Sequence, residues 1–231
     1  PGTRYYVRAY ATNSATTGYG NQIEFCTSIA DIEGSIYRVV RIGNQYWMAE
    51  NLRTVKYNNG DDIPNVELNS TWSSLTTPAY CWYANNGSYR PTHGALYNWI
   101  AVATNNLCPT GWHVPTDEEF NEMELYLGIP PEQIDTWAWR GSNEGSQLKS
   151  ATGWASGQNG TNTTGFTALP GGYRYGLDGS FIGLGTFVYW WTSSLQAENI
   201  AWYRLLDGSH TEVYKGATSV RGGKFVRCVK N

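Results

Sequence analysis

The chain has 231 residues, of which 15% are charged and 15% aromatic, with 11 Trp, 17 Tyr and a formal net charge of −3. Soluble domains usually contain about 25% charged residues, so this chain is poor in charge and rich in rings. The rings argue against a disordered chain, the slight acidity against a nucleic-acid-binding protein, and the lack of a long apolar run against a transmembrane segment. The length fits one large domain, or one domain with a fragment of another.

The N-terminal 28 residues read as a β-hairpin. Residues 4–11 and 22–26 alternate and contain β-forming residues, and residues 12–20 between them are turn-like. This segment resembles the last two strands of a fibronectin type III domain, with Tyr5 or Tyr6 in the place of that family's conserved tyrosine. We therefore predict a partial domain over residues 1–28 and a second domain over residues 29–231.

Local signals predict further elements. Residues 36–42 and 45–48 flank Gly43-Asn44, which is typical of a hairpin with a two-residue turn. Thr116 and Glu119 form a capping-box pattern that predicts a helix ending at Gly128. A short helix is expected over 94–103 and a weaker helical turn over 147–149. After residue 166 the sequence returns to strand character, with runs near 187–192, 200–206 and 225–229.

Several segments are specific when taken together: GNQYWMAENL (43–52), YCWY (80–83), GALYNW (94–99), LCPTGWHVPT (107–116), ALPGGYR (168–174), YWWTSS (189–194), AWYR (201–204) and VRCV (226–229). In this order they closely resemble the Fibrobacter succinogenes major paralogous domain, over roughly residues 31–231.

That family resembles C-type lectin folds and formylglycine-generating enzymes. The resemblance implies an α+β domain with a twisted antiparallel sheet, one or two helices and long ordered loops. It also implies a disulfide between Cys108 and Cys228, and an exported bacterial protein, secreted or on the cell surface, for example as a lipoprotein. Most Trp residues of these motifs are expected in the core, and Arg204 and Arg227 are expected to bind buried loop carbonyls. The roles of Cys26 and Cys81 stay open.

The C-terminal region also resembles the variable region of C-type lectin-like proteins that retroelements diversify. In the middle strand, Trp202, Arg204 and Leu206 should share one face, and Tyr203, Leu205 and Asp207 the other. The resemblance makes a set of positions exposed candidates: Asn199, Tyr203, Leu205, Asp207, Ser209, His210, Glu212, Tyr214, Lys215, Ala217, Thr218 and Ser219. Tyr189 and Trp190 join them as candidate ligand contacts, because Tyr and Trp supply rigid area with one polar handle.

Known catalytic patterns are missing. The formylglycine-generating relatives use paired cysteines near the end of the chain, and only Cys228 lies there. No Gly-x-Ser-x-Gly elbow, phosphate loop or His-Glu-x-x-His is present, and no carboxylate pair stands out by spacing. No catalytic residue, metal site or cofactor is predicted.

Calcium-dependent sugar binding also lacks its usual signals, because the Glu-Pro-Asn, Gln-Pro-Asp and Trp-Asn-Asp motifs do not occur. A structural calcium ion held by loop Asp or Asn oxygens stays an open alternative. We expect a non-catalytic recognition module that binds a protein or glycan ligand through its C-terminal loops and strands. The alternative is an assembly subunit of a bacterial surface appendage.

Overall fold

The computed structural model describes residues 4–26, 28–155 and 157–231, and strands and loops dominate it. The strands are β1 (Arg4–Thr12), β2 (Thr17–Cys26), β3 (Ser28–Ala30), β4 (Ile36–Ile42), β5 (Gln45–Met48), β6 (Tyr80–Cys81), β7 (Leu96–Tyr97), β8 (Trp112–His113), β9 (Ala138–Arg140), β10 (Gly171–Arg174), β11 (Phe181–Leu184), β12 (Phe187–Ala197), β13 (Ile200–Asp207), β14 (Val213–Ser219) and β15 (Val229–Lys230). The helices are α1 (Asn69–Ser73), α2 (Arg90–His93), α3 (Trp99–Val102), α4 (Asp117–Leu127) and α5 (Glu144–Leu148). Among the described residues only α4 is longer than five residues, so the fold is α+β with sheet predominating. No helix in this described part is long and apolar enough to cross a membrane.

Both predicted hairpins are confirmed, although the first turn is shorter than the predicted 12–20, because β1 runs to Thr12 and β2 begins at Thr17. β1 and β2 pair antiparallel with Arg4 opposite Cys26, and β4 and β5 pair with Ile42 opposite Gln45, across the turn Gly43-Asn44. The side chains at positions 5 and 6, which concern the fibronectin-type tyrosine, lie outside the described residues, as does that of Cys26.

A six-stranded sheet forms the C-terminal half, in the order β11-β10-β12-β13-β14-β9. All its pairs are antiparallel except β10 with β12. Strand β14 was missing from the sequence prediction, and the predicted run at 225–229 forms a regular strand only at Val229–Lys230. The upstream part of that run instead inserts beside β12, where Phe225 bridges Trp190.

The second large sheet has the order β3-β4-β5-β15-β8 and joins distant parts of the chain. In β15, Val229 pairs with Trp47 on one side and with His113 on the other. Next to it the predicted disulfide is confirmed: Cys108 and Cys228 are bonded, with their Cα atoms 6.0 Å apart. The bond ties the segment before α4 to the end of the chain.

Helix α4 begins and ends where its sequence predicts. Thr116 Oγ1 accepts a hydrogen bond from Glu119 N at 3.1 Å, and Glu119 Oε2 accepts one from Thr116 N at 2.8 Å. This reciprocal cap satisfies two amides that the first helical turn leaves open. Gly128 caps the other end, and Phe120 and Met123 face the core.

The helix expected over 94–103 is wrong in its first half. Leu96 and Tyr97 are extended and pair with β6, and the helix begins only at Trp99. Asn98 separates the two, because its Oδ1 accepts a hydrogen bond from Ala101 N and its side chain therefore caps α3. The helical turn expected over 147–149 lies earlier, at Glu144–Leu148.

Buried arginines hold the long loops. The Arg227 guanidinium donates to Asn51 Oδ1 at 2.9 Å and to the carbonyl oxygens of Phe166 and Thr167, as expected from its motif. Arg174 donates in the same way to the carbonyls of Val66, Glu67 and Gly179. Loop carbonyl groups that point inward thus accept hydrogen bonds from these arginines. Irregular segments can be buried only when their backbone polar groups are paired in this way.

Candidate ligand-binding surface

One face of the six-stranded sheet presents a row of aromatic rings, one from each of five adjacent strands. We call it the aromatic row, and it consists of Tyr173 (β10), Tyr189 (β12), Tyr203 (β13), Tyr214 (β14) and Trp139 (β9). Neighbouring ring centroids along the row are 4.3, 5.4, 6.1 and 5.2 Å apart. All five side chains are half-buried, with their remaining area toward solvent. At a strand spacing of about 4.8 Å, the row extends about 20 Å.

Strand alternation separates this face from the core. On β13, Tyr203 contacts Tyr189 and Tyr214, whereas Arg204 reaches helix α4 on the other side of the sheet. The two-face prediction for β13 is therefore confirmed. Opposite Tyr203 lies Gly216, where a Cβ atom would come within 2.7 Å of the tyrosine hydroxyl. The missing side chain lets the Tyr203 ring lie over β14 and stack on Tyr214, at an interplanar angle of 14°.

The opposite face carries a buried ion network that fixes the sheet to α4. Glu124 accepts from Arg204 Nε at 2.7 Å and from Arg140 Nη2 at 2.6 Å. Asp117 accepts from Arg204 Nη1 at 2.6 Å and lies 2.7 Å from Lys215 Nζ. Arg204 thus pairs chiefly with carboxylates, contrary to the expectation that it binds loop carbonyls.

The network also sets the ionisation of Asp117. Burial alone would raise the pKa of this carboxyl, but Arg204 and Lys215 outweigh burial and hold its pKa below the ordinary value. A carboxyl group whose pKa is lowered by folding stabilises the fold at pH values above its ordinary pKa. That contribution is lost as the pH falls through the lowered pKa.

The turn after β13 closes one end of the aromatic row. Asp207 Oδ1 accepts from the amides of Ser209 and His210, both at 2.8 Å, and the His210 ring stacks on Trp139 at 3.7 Å. Lys149 Nζ donates to the carbonyls of Asp207 and His210. Although Ser, His and Asp meet here, Asp207 and the Ser209 hydroxyl both contact His210 Nδ1. A relay from carboxylate to hydroxyl needs both ring nitrogens, so this geometry serves the turn.

The structure brings together several of the predicted contact residues. Tyr189, Tyr203 and Tyr214 lie in the aromatic row, and His210 extends it. Thr218 lines a cavity beside the row. Asn199 lies apart, exposed in the turn between β12 and β13, and Glu212 lies in the loop before β14, where its carboxylate accepts from Thr211 N.

Other predicted positions are buried. Trp190 is 1% exposed, points to the opposite face from Tyr189, and donates through Nε1 to Asn51 Oδ1 at 2.8 Å. Lys215 is likewise on the α4 side, in the ion network. The expected exposure is also wrong for Leu205 and Asp207, because both are 7% exposed although they share the face of Tyr203.

Sequence reasoning missed Lys224, which lies beside the aromatic row with its side chain almost completely buried. It lines a cavity of about 160 Å³ together with Tyr173, Tyr189, Tyr203, Thr218 and others. Burial lowers the pKa of its amine to about 7. The sequence did contain a signal of this burial. In an extended segment residues 224, 226 and 228 point to the same side, and Val226 and Cys228 are core residues. Trp139 and Tyr173 were also missed.

No cluster of three or more His, Cys, Asp and Glu side chains suited to a metal ion occurs in the described ranges. The Cys81 thiol is buried, and burial raises its pKa to about 12. Thiol reactivity depends on the thiolate, so this cysteine is not expected to act as a nucleophile in the folded chain.

Comparison with known proteins gives one result. Neither the curated proteins nor the solved structures contain a match to this chain. The family model described as the Fibrobacter succinogenes major domain matches residues 40–230. Because that match covers most of its length, the chain belongs to the Fibrobacter succinogenes major domain family.

Proposed function

We propose that the chain is a non-catalytic recognition module that binds a glycan or protein ligand on the aromatic row. The observation that carries this proposal is the row itself, with one half-buried ring from each of five adjacent strands. Contiguous half-exposed rings beside a cavity are typical of binding surfaces, because aromatic side chains give large contact area at low entropic cost.

The scaffold supports such a role. Helix α4 and the buried ion network hold the strands from the side opposite the row, so the rings are positioned before any ligand arrives. Preorganised contacts lose less entropy on binding. With a net charge of −3, affinity would come from ring contacts and hydrogen bonds more than from long-range steering.

We further propose a secreted or cell-surface location and a C-type lectin-like arrangement of the domain. The buried disulfide Cys108–Cys228 supports export, because disulfides persist in oxidising compartments. Diversification of exposed positions by a retroelement stays a hypothesis. Alleles that differ mainly at positions such as 199, 203, 212, 214 and 218 would support it, and uniform alleles would contradict it.

Truncation of the row tests the proposal. In a screen of glycans and bacterial surface proteins, Tyr203→Ala and Tyr214→Ala should each weaken binding about 30-fold, corresponding to about 2 kcal/mol for a central aromatic contact. Tyr126→Ala is the matched control, since Tyr126 is 67% exposed on α4, away from the row. Equal binding by all variants would remove the row as the site.

The assembly alternative has one supporting observation. The hairpin β1–β2 forms a sheet of its own in the described part of the chain, and unpaired strand edges can add a strand from another chain. Light scattering distinguishes the two functions. A recognition module stays monodisperse as the protein concentration rises. An assembly subunit polymerises, and it loses this ability when residues 1–28 are deleted.

A further inference from the structure

Lys224 is a buried amine surrounded by rings. Its Nζ lies 4.0 Å from the ring centroid of Trp191 and 5.1, 5.5 and 5.8 Å from those of Tyr203, Tyr189 and Tyr173. The residue is 2% exposed. Burial is the single cause of the shift in the pKa of this amine, so no hydrogen bond or charge from the described residues offsets it. Ring faces stabilise a cation, but they do not replace a counter-ion in a buried site.

Backbone hydrogen bonds fix the position of Lys224. Gly223 exchanges two hydrogen bonds with Arg174 of β10, and Phe225 bonds to Tyr189 and Trp191 of β12, so residues 223–225 lie between these strands. Phe225 then fills the core, and Lys224 projects to the side of the aromatic row. Gly222 leaves room for the amine, because a Cβ there would lie 2.8 Å from Nζ.

The amine forms part of a cavity that continues the aromatic row. The cavity of about 160 Å³ is lined by Tyr173, Tyr189 and Tyr203, which also belong to the row, and by Thr218 and Lys224. A ligand that lies on the row can therefore extend one substituent into this cavity, toward Lys224.

The groups that face Nζ carry no negative charge at physiological pH. Burial raises the pKa of Tyr173, Tyr189 and Tyr203, so these phenols are neutral at physiological pH. Tyr97, the backbone partner of Lys224, is also buried with a raised pKa. Arg174 lines the cavity as well, but its guanidinium donates to loop carbonyls. When it is protonated, Lys224 therefore has no counter-ion among these residues.

The donor set favours a carboxylate over a phosphate. One amine offers a single point of positive charge, whereas phosphate sites usually use several cations or the fork of an arginine. The remaining cavity wall consists of ring faces and hydroxyl groups. Ring faces suit the apolar C–H surfaces of a sugar ring, and the phenol and threonine hydroxyls can exchange hydrogen bonds with sugar hydroxyls.

We propose that this cavity binds the carboxylate of an acidic sugar residue, such as a uronic acid, with Lys224 Nζ as its counter-ion. The proposal rests on the recognition function proposed above and names the ligand class of the same surface. A carboxylate about 3 Å from the amine favours the charged form, so ligand binding makes Lys224 take up a proton whenever the free amine is neutral.

Calorimetric or NMR titration of the intact chain with glucuronate and glucose tests this. We expect glucuronate to bind at least tenfold more tightly than glucose at pH 6.5, where most of the free amine is charged. Because the pKa of the free amine is about 7 and binding raises it, glucuronate affinity should fall as the pH rises above 7, by up to about tenfold per pH unit until the pKa of the complex is reached. Calorimetry at pH 8 in buffers of different ionisation heat should show net proton uptake, of up to one proton per bound glucuronate.

Lys224→Met should abolish both the glucuronate preference and its pH dependence. The substitution removes a buried charge and keeps a side chain of similar volume, so the variant is expected to fold. Proton uptake by the unaltered chain tests the same proposal without any variant. Lys230→Met, which changes an exposed lysine, is the matched control and should keep both.

Equal affinity for glucuronate and glucose, or a flat pH profile, would overturn the proposal. Tighter binding of N-acetyl-glutamate amide than of glucuronate would overturn the sugar assignment in favour of an acidic peptide. Failure here is separable from failure of the row, because ligands found in the screen can lose binding in Tyr214→Ala and keep it in Lys224→Met.

Discussion

Replacing Glu124 by glutamine is expected to lower the free energy of unfolding by about 3–5 kcal/mol, the range for breaking a fully buried ion pair on one side. Both carboxylate oxygens are used, one by Arg204 and one by Arg140, and neither Glu124 nor the two arginines have exposed side chains. An amide can accept from only one guanidinium and turns its NH₂ group toward the other. The buried guanidinium groups of Arg204 and Arg140 would then have one negative charge fewer to balance them.

The arrangement around Arg140 makes the loss larger. Its Nε already has no hydrogen-bond partner, and burial together with Arg204 lowers its pKa, although Glu124 opposes this. Apart from Glu124, the Arg140 guanidinium donates only to the carbonyl of Ile134 among the described residues. The next carboxylate that acts on Arg140 is Asp117, and Asp117 is already paired with Arg204 and Lys215.

Urea unfolding followed by tryptophan fluorescence measures this effect. Glu122→Gln, which removes an exposed carboxylate two residues earlier on α4, is the control and should change stability by less than about 0.5 kcal/mol. Equal midpoints for Glu124→Gln and Glu122→Gln would show that the network does not hold the sheet. Because Arg204 and Arg140 lie on β13 and β9, Glu124→Gln should also loosen Tyr203 and Trp139 and weaken ligand binding on the aromatic row.

Sequence alone predicted the features that depend on neighbouring residues. The turn Gly43-Asn44 and the capping box of α4 are specified within a few residues, and both were located correctly. The disulfide followed from the family resemblance, because it depends on two segments that are 120 residues apart. Short-range pattern was misleading at residues 94–98, where pairing with Tyr80 and Cys81 overrides helical spacing.

The sequence predicted only some of the residues on the candidate surface, for a physical reason. Side chains of adjacent strand residues point to opposite faces, so Tyr189 with Trp190, and Tyr214 with Lys215, cannot all face one ligand. Strand periodicity alone could have excluded one member of each pair. Lys224 and Trp139 are different, since their place beside the row depends on how residues 223–225 insert between β10 and β12 and how β9 joins the sheet edge.

Removing the disulfide should have an effect of similar size to that of Glu124→Gln. The double variant Cys108→Ala, Cys228→Ala is expected to lose about 2–5 kcal/mol of unfolding free energy. The bond closes a loop of 120 residues, for which chain entropy alone gives about 5 kcal/mol. Both sulfurs lie in the core near the junction of β8 and β15, so the alanines also leave a small cavity.

The oxidised chain, the reduced chain and the double variant together separate these contributions. Reduction opens the loop but keeps the sulfur atoms, so the reduced chain should unfold at a slightly higher urea concentration than the double variant and well below the oxidised chain. Without the link the unfolded ensemble expands, so the dependence of unfolding free energy on urea should also steepen. Reductant should not shift the midpoint of the double variant. If the oxidised and reduced chains unfold at the same urea concentration, β8 and β15 hold the end of the chain by packing alone, and the bond contributes nothing to the stability of the domain.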